Sequence, residues 1–235
     1  MSMATKRPQL SLEELHQLKW LLGSVLATLS AWTVFFMEVE AWTLLTLITV
    51  TGVLVVLRPF LPARVPRWVH RLAFPVIVLL LIYDLQVYRE PLAAFIRLNL
   101  MLILYRLIGH RRRREDLQLI VLGLFMVVVA GVITVSLSFA VQILAFTGCS
   151  LAFLLAVTLA DAAGPDPVPV GGGIPYWATE VQWGVLARRL VAVTDWRLVV
   201  LGGGLFAGVV MLSGLMFLAI PRFELNSGFF LDRLI

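Results

Sequence analysis

The sequence predicts an all-α integral membrane protein: a bundle of about seven transmembrane helices, or six if the 91–108 segment does not span, with one interfacial amphipathic helix. Three observations predict it. Of the 235 residues, 60% are hydrophobic and 14% charged, against roughly 25% charged in a soluble domain. The apolar residues fall in runs close to the roughly 20 residues a helix needs to cross hydrocarbon. The basic residues gather in short clusters between those runs, as they do in the cytoplasmic loops of membrane proteins. The formal net charge of +5 therefore marks loops. No basic face interleaved with aromatics occurs outside them, so no nucleic-acid partner is expected.

The strongest charge signal is Arg111-Arg112-Arg113-Arg114-Glu115-Asp116, set between two long apolar runs. Four consecutive arginines cannot rest in hydrocarbon, so this stretch reads as a cytoplasmic loop from which the other segments are counted. Residues 1–17 form a cytoplasmic amphipathic lead-in with Lys6 and Arg7, and Ser11 followed by Glu14 has capping-box spacing. The first span, 18–37, has bases before it and Glu38 and Glu40 after it. No small-residue cleavage site follows, so the helix is expected to be retained. The second run, 41–57, ends at Arg58. Residues 58–71 hold Arg58, Arg64, Arg67 and Arg71 with Pro59, Pro62 and Pro66, and read as a second cytoplasmic loop.

The third run, 72–88, carries Pro75 near its start and Asp84 near its end, where Asp84, Arg89 and Glu90 mark the outer boundary. The fourth, 91–108, contains Arg97, Asn99 and Arg106; both arginines lie within snorkelling reach of an end. Asn99 and Arg106 share a helix face and are the candidate intramembrane polar residues, for helix-to-helix hydrogen bonding or for a polar pathway. From 117 to 160 the chain is apolar for about 44 residues, roughly 66 Å as one helix, which is twice the hydrocarbon thickness. It must fold back, and 134–138 is the natural turn, giving six helices over 18–160. Gly123, Ala130, Gly131 and Ala140 would let the two helices pack closely.

Residues 161–196 are a cytoplasmic Gly/Pro loop followed by the interfacial helix, 178–196, with Arg188 and Arg189 facing anionic headgroups. Gly171, Gly172 and Gly173 lack the following Lys-Ser/Thr of a phosphate cradle. The last span, 197–220, carries Gly204 and Gly208 in GxxxG spacing, and 221–235 begins an extracytoplasmic segment. With the N-terminus inside, every basic cluster falls on the cytoplasmic side, while the outer loops hold mainly Glu38, Glu40, Asp84 and Glu90. The Arg58–Arg71 group, Arg111 to Arg114, Arg188 and Arg189 thus become topology and lipid-headgroup candidates. The lipid bilayer is the expected partner, and the basic loops offer docking points for other membrane or cytoplasmic proteins.

No catalytic constellation is legible. His16, His70 and His110 sit among polar or basic residues, and Cys149, the single cysteine, lies in an apolar run as a small packing residue. No catalytic, metal or cofactor residue is expected. Asp161 and Asp166 border the glycine loop and are explained by solvation. A transporter or lipid-handling protein using Asn99, Arg106 and 161–196 is the alternative, opposed by the lack of an internal repeat. A structural subunit of a membrane complex is a third reading.

The segment Arg113-Arg114-Glu115-Asp116-Leu117-Gln118-Leu119, running into Ser136-Leu137-Ser138-Phe139-Ala140, resembles the membrane region of bacterial TgpA-type transglutaminase-like membrane proteins, as does the final span ending in Pro221-Arg222-Phe223 and followed by Gly228-Phe229-Phe230. The resemblance covers most of the chain from about Trp20 onward. It implies a bacterial inner-membrane location, and an N-terminal helical bundle leading into an extracytoplasmic transglutaminase-like domain with a Cys-His-Asp core. It further implies a partner among chaperone-like ATPases. That core would follow residue 235, so this chain is expected to be the non-catalytic anchor, and Cys149 is not the family nucleophile.

Overall fold

A computed structural model describes residues 11–37, 39–58, 67–87, 90–109, 113–134, 136–164, 183–193 and 196–219. The described residues are helical throughout apart from turns and caps, with no strand among them. Two compact units are formed, Met1–Val193 and Thr194–Ile235.

The first unit is built around α1, Leu12–Trp32, which continues into a 3-10 turn, Thr33–Phe36. The capping box at its start is present: Ser11 Oγ accepts from Glu14 N, and Ser11 N donates to Glu14 Oε2 at 2.9 Å. The lead-in and the first span are therefore not separate; residues 12–17 are the first turns of the spanning helix. Five more helices alternate in direction: α2 (Trp42–Leu57), α3 (Arg67–Val87), α4 (Pro91–Ile108), α5 (Arg113–Ile133) and α6 (Leu137–Ala163). The turn expected at 134–138 is there, with Ser136 capping α6 by accepting from Phe139 N.

Alternation is legible in cross-helix contacts. Trp32 Nε1 donates to Thr49 Oγ1 at 3.2 Å, while Gly52 faces Thr28 and Ser24, so α2 runs antiparallel to α1. Gln142 Nε2 donates to the Leu29 carbonyl at 2.7 Å and Cys149 Sγ to the Leu22 carbonyl at 3.7 Å, a matched seven-residue step along α6 and α1. Seven residues are two turns, so both contacts lie on one face. We call the end where α1 starts proximal and the opposite end distal.

α1 packs against α2, α4, α5 and α6, and its sequence suits that centre. Small residues face neighbours: Ser24, Ala27, Ser30 and Ala31 are buried, and the hydroxyls of Ser24, Thr28 and Ser30 donate back to carbonyls of their own helix. A hydroxyl bonded this way has its donor satisfied within its own helix. A side chain at Gly123 would collide with Ser30 Oγ and the Phe146 ring, so glycine is what allows α1, α5 and α6 to meet. Ala130 is likewise buried, whereas Gly131 and Ala140 are exposed. By contrast α3 touches the bundle along α4 and is apolar and exposed over most of its length, with Phe74 at 71% and Leu79 at 67%. Apolar surface of that extent suits lipid rather than water.

Among the described residues, four helices are long and apolar enough to cross a membrane: Leu12–Phe36, Pro91–Ile108, Arg114–Ile133 and Ser138–Ala163. The 91–108 segment is among them. Trp42–Leu57 is apolar but shorter.

Helix limits differ from expectation at the basic clusters. Arg67 and Arg71 lie in the first turns of α3, and Arg113 and Arg114 in the first turn of α5, so neither basic stretch is wholly loop. Pro75 is interior to α3 rather than near a start, because the helix begins at Arg67. A proline there removes one helical donor, a loss tolerated where neighbouring groups re-satisfy the backbone. α6 runs past residue 160 and takes Asp161 into its last turn. The amphipathic segment contains a shorter helix, α7, Trp183–Val193. In the second unit α8, Trp196–Ala219, takes up nearly all of the last expected span. Residues 1–10, Arg64, His110, Arg111, Arg112, 165–182 and 221–235 lie outside the described residues.

Candidate functional site

The densest polar region lies at the proximal end, where α1, α4, α5 and α7 bring opposite charges together. Glu14 uses one carboxylate oxygen for the capping box and the other, Oε1, to accept from Arg189 Nη1 of α7 at 2.9 Å. Further along α1, His16, Gln17 and Lys19 are all buried. Lys19 Nζ lies 3.0 Å from Asp116 Oδ2, with the two side chains 7% and 0% exposed. Asp116 sits in the first turn of α5, where unpaired backbone N–H groups and the helix dipole favour a carboxylate. Its neighbour Glu115 faces α4, with Oε1 3.7 Å from Arg106 Nη1. Two adjacent carboxylates thus tie the start of α5 to two different helices.

The distal end carries fewer charges and more rings. Arg97 of α4 reaches Asp84 of α3 at 3.5 Å and donates to the Glu40 carbonyl at 3.3 Å. Trp32, Phe35 and Trp42 stack edge to tilted in sequence, and Phe36 meets Phe139. Amphipathic aromatic rings collect where a bilayer meets water.

Asn99, midway, donates from Nδ2 to the Leu122 carbonyl of α5 at 2.9 Å. This is the helix-to-helix hydrogen bond expected of it. Arg106, its companion two turns on, is engaged separately by Glu115, so the two do not converge on a shared pathway. The Arg189 guanidinium meets the Glu14 carboxylate while its side chain stays 59% exposed. Arg58, Arg71, Arg114 and Arg188 are exposed.

Sequence reasoning missed the cross-helix pairings, among them Lys19 with Asp116, Arg97 with Asp84, Glu14 with Arg189 and Gln142 with Leu29. For the first, a signal existed. Lys19 lies at the start of an apolar run and Asp116 at the start of another, and each buried charge demands an opposite one.

Chemically the arrangement joins helices. Among the described residues no group of three His, Cys, Asp or Glu converges as a metal site requires. Cys149 is half-buried between α6 and α1. Comparison with protein-family models, with curated proteins and with solved structures finds no match to this chain.

Proposed function

We propose that this chain is a non-catalytic, multi-spanning anchor for a transglutaminase-like domain of the TgpA type, which would follow residue 235 outside the cytoplasm. The observation that carries the anchor reading is the Lys19–Asp116 pair. A charge pair sealed between helices fixes their register, whereas a transport path needs its charges open to substrate. Asn99 and Arg106, the residues a transporter reading would use, are likewise engaged by α5. The transglutaminase-like part of the reading rests on the sequence resemblance alone.

Orientation follows from charge. The proximal end carries Arg58, Arg71, Arg114, Arg188 and Arg189, and by the positive-inside rule it faces the cytoplasm of a bacterial inner membrane. Counting α8 as the seventh crossing sends the chain out at Pro221.

Two experiments test this. In a Cys149→Ser background, a cysteine introduced at Glu38 should react with an impermeant reagent added from outside, and one at Arg112 should not; the reverse pattern would invert the topology. Sequencing the coding DNA past Ile235 should reveal an open frame with separated Cys, His and Asp residues. An immediate stop codon would sink the anchor reading and favour a complex subunit.

A further inference from the structure

α1 and α2 approach closely where Gly52 meets Thr28, and a groove of about 430 Å³ opens beside that contact. At Gly52 an added Cβ would come within 2.8 Å of Thr28 Oγ1. Val25, Leu29, Val53 and Val56 form the walls. Ser24 and Thr28 also line the groove, yet their hydroxyls donate to the carbonyls of Trp20 and Ser24, so the lining is apolar in effect. The two ends differ. At the distal end the Trp32–Thr49 hydrogen bond ties the helices together. At the proximal end the groove runs out at Leu57, and the next residue is the exposed Arg58.

A groove with one tied end and a cation at its open end matches one kind of occupant. We propose that it holds an acyl chain of an anionic phospholipid whose phosphate sits on Arg58. Moving an acyl chain from bilayer to groove gains nothing from the hydrophobic effect, because lipid tails are as apolar as the walls. Retention comes from close van der Waals contact with a shaped surface and from the charge at the mouth. Lys19, the lysine of α1 toward this end, is committed to Asp116. Arg58, directly after the groove-lining Leu57, sets the headgroup preference. This site requires the chain to be membrane-embedded and does not depend on any attached enzyme domain.

The test is native mass spectrometry of the full chain released from bilayers of equal phosphatidylglycerol and phosphatidylcholine. The wild type should retain one lipid per chain, with phosphatidylglycerol favoured by about fivefold, the worth of one cation near the surface. Val53→Trp places an indole in the groove from an exposed position, away from the Gly52 contact, and should remove the retained lipid at unchanged helicity. Val56→Phe gives a second, smaller filling should the first variant misfold. Arg58→Gln should keep a lipid and lose the preference. Equal retention of both lipids by the wild type, undiminished retention by a folded filled variant, or a lipid-free dimer, which would give the groove to a second copy, would each overturn the proposal.

Discussion

The two ends of the bundle are held by different means. At the proximal end a sealed ion pair and two more exposed ones connect α1, α4, α5 and α7. At the distal end one partly exposed pair, Arg97 with Asp84, is joined by a file of aromatic rings. The difference teaches where the register is specified. An ion pair buried between two helices tolerates no slip, since losing it strands a charge, whereas aromatic contacts at a membrane boundary accept small displacements.

The largest effect should come from breaking the sealed pair. Asp116→Ala leaves Lys19 buried without its carboxylate and should cost about 3–5 kcal/mol, read as a lowered midpoint of thermal unfolding in detergent. The double variant Lys19→Met, Asp116→Leu should recover most of that loss, because two matched apolar side chains strand no charge. No recovery would mean the pair does more than fix register. Next is Gly123→Leu, which forces a side chain into Ser30 and Phe146. Overpacking of this kind costs about 1–3 kcal/mol, and the same unfolding measurement should show it.

At the distal end Asp84→Ala should cost less, about 1 kcal/mol, because the pair is partly exposed and Arg97 keeps the Glu40 carbonyl. A loss as large as that of Asp116→Ala would erase the contrast between the ends. Smallest is Glu14→Gln, which can preserve the capping box while discharging the partner of Arg189. With the Arg189 side chain 59% exposed, the change should be no more than about 0.5 kcal/mol and should vanish at high salt.

Much of this architecture is legible in the sequence because hydrocarbon imposes lengths and excludes charges. The fold-back at 134–138, the capping box at Ser11 and Glu14, and the role of Asn99 follow from local pattern. The arginine clusters mislead over helix limits, since a helix can begin among charges, as α3 and α5 do at Arg67 and Arg113. The proximal pairs are harder to see. Lys19 and Asp116, or Glu14 and Arg189, are joined by packing of elements far apart in sequence, and no local periodicity encodes which distant carboxylate a buried lysine will meet.

The central position of α1 also imposes an order in time. Lys19 leaves the ribosome about a hundred residues before Asp116, a delay of roughly 5–20 s at bacterial or slower synthesis rates. During that interval α2, α3 and α4 are made while the ammonium has no carboxylate from α5 to receive it. The ion pair that fixes the first helix against the fifth can therefore form only late, after most of its other neighbours have been made.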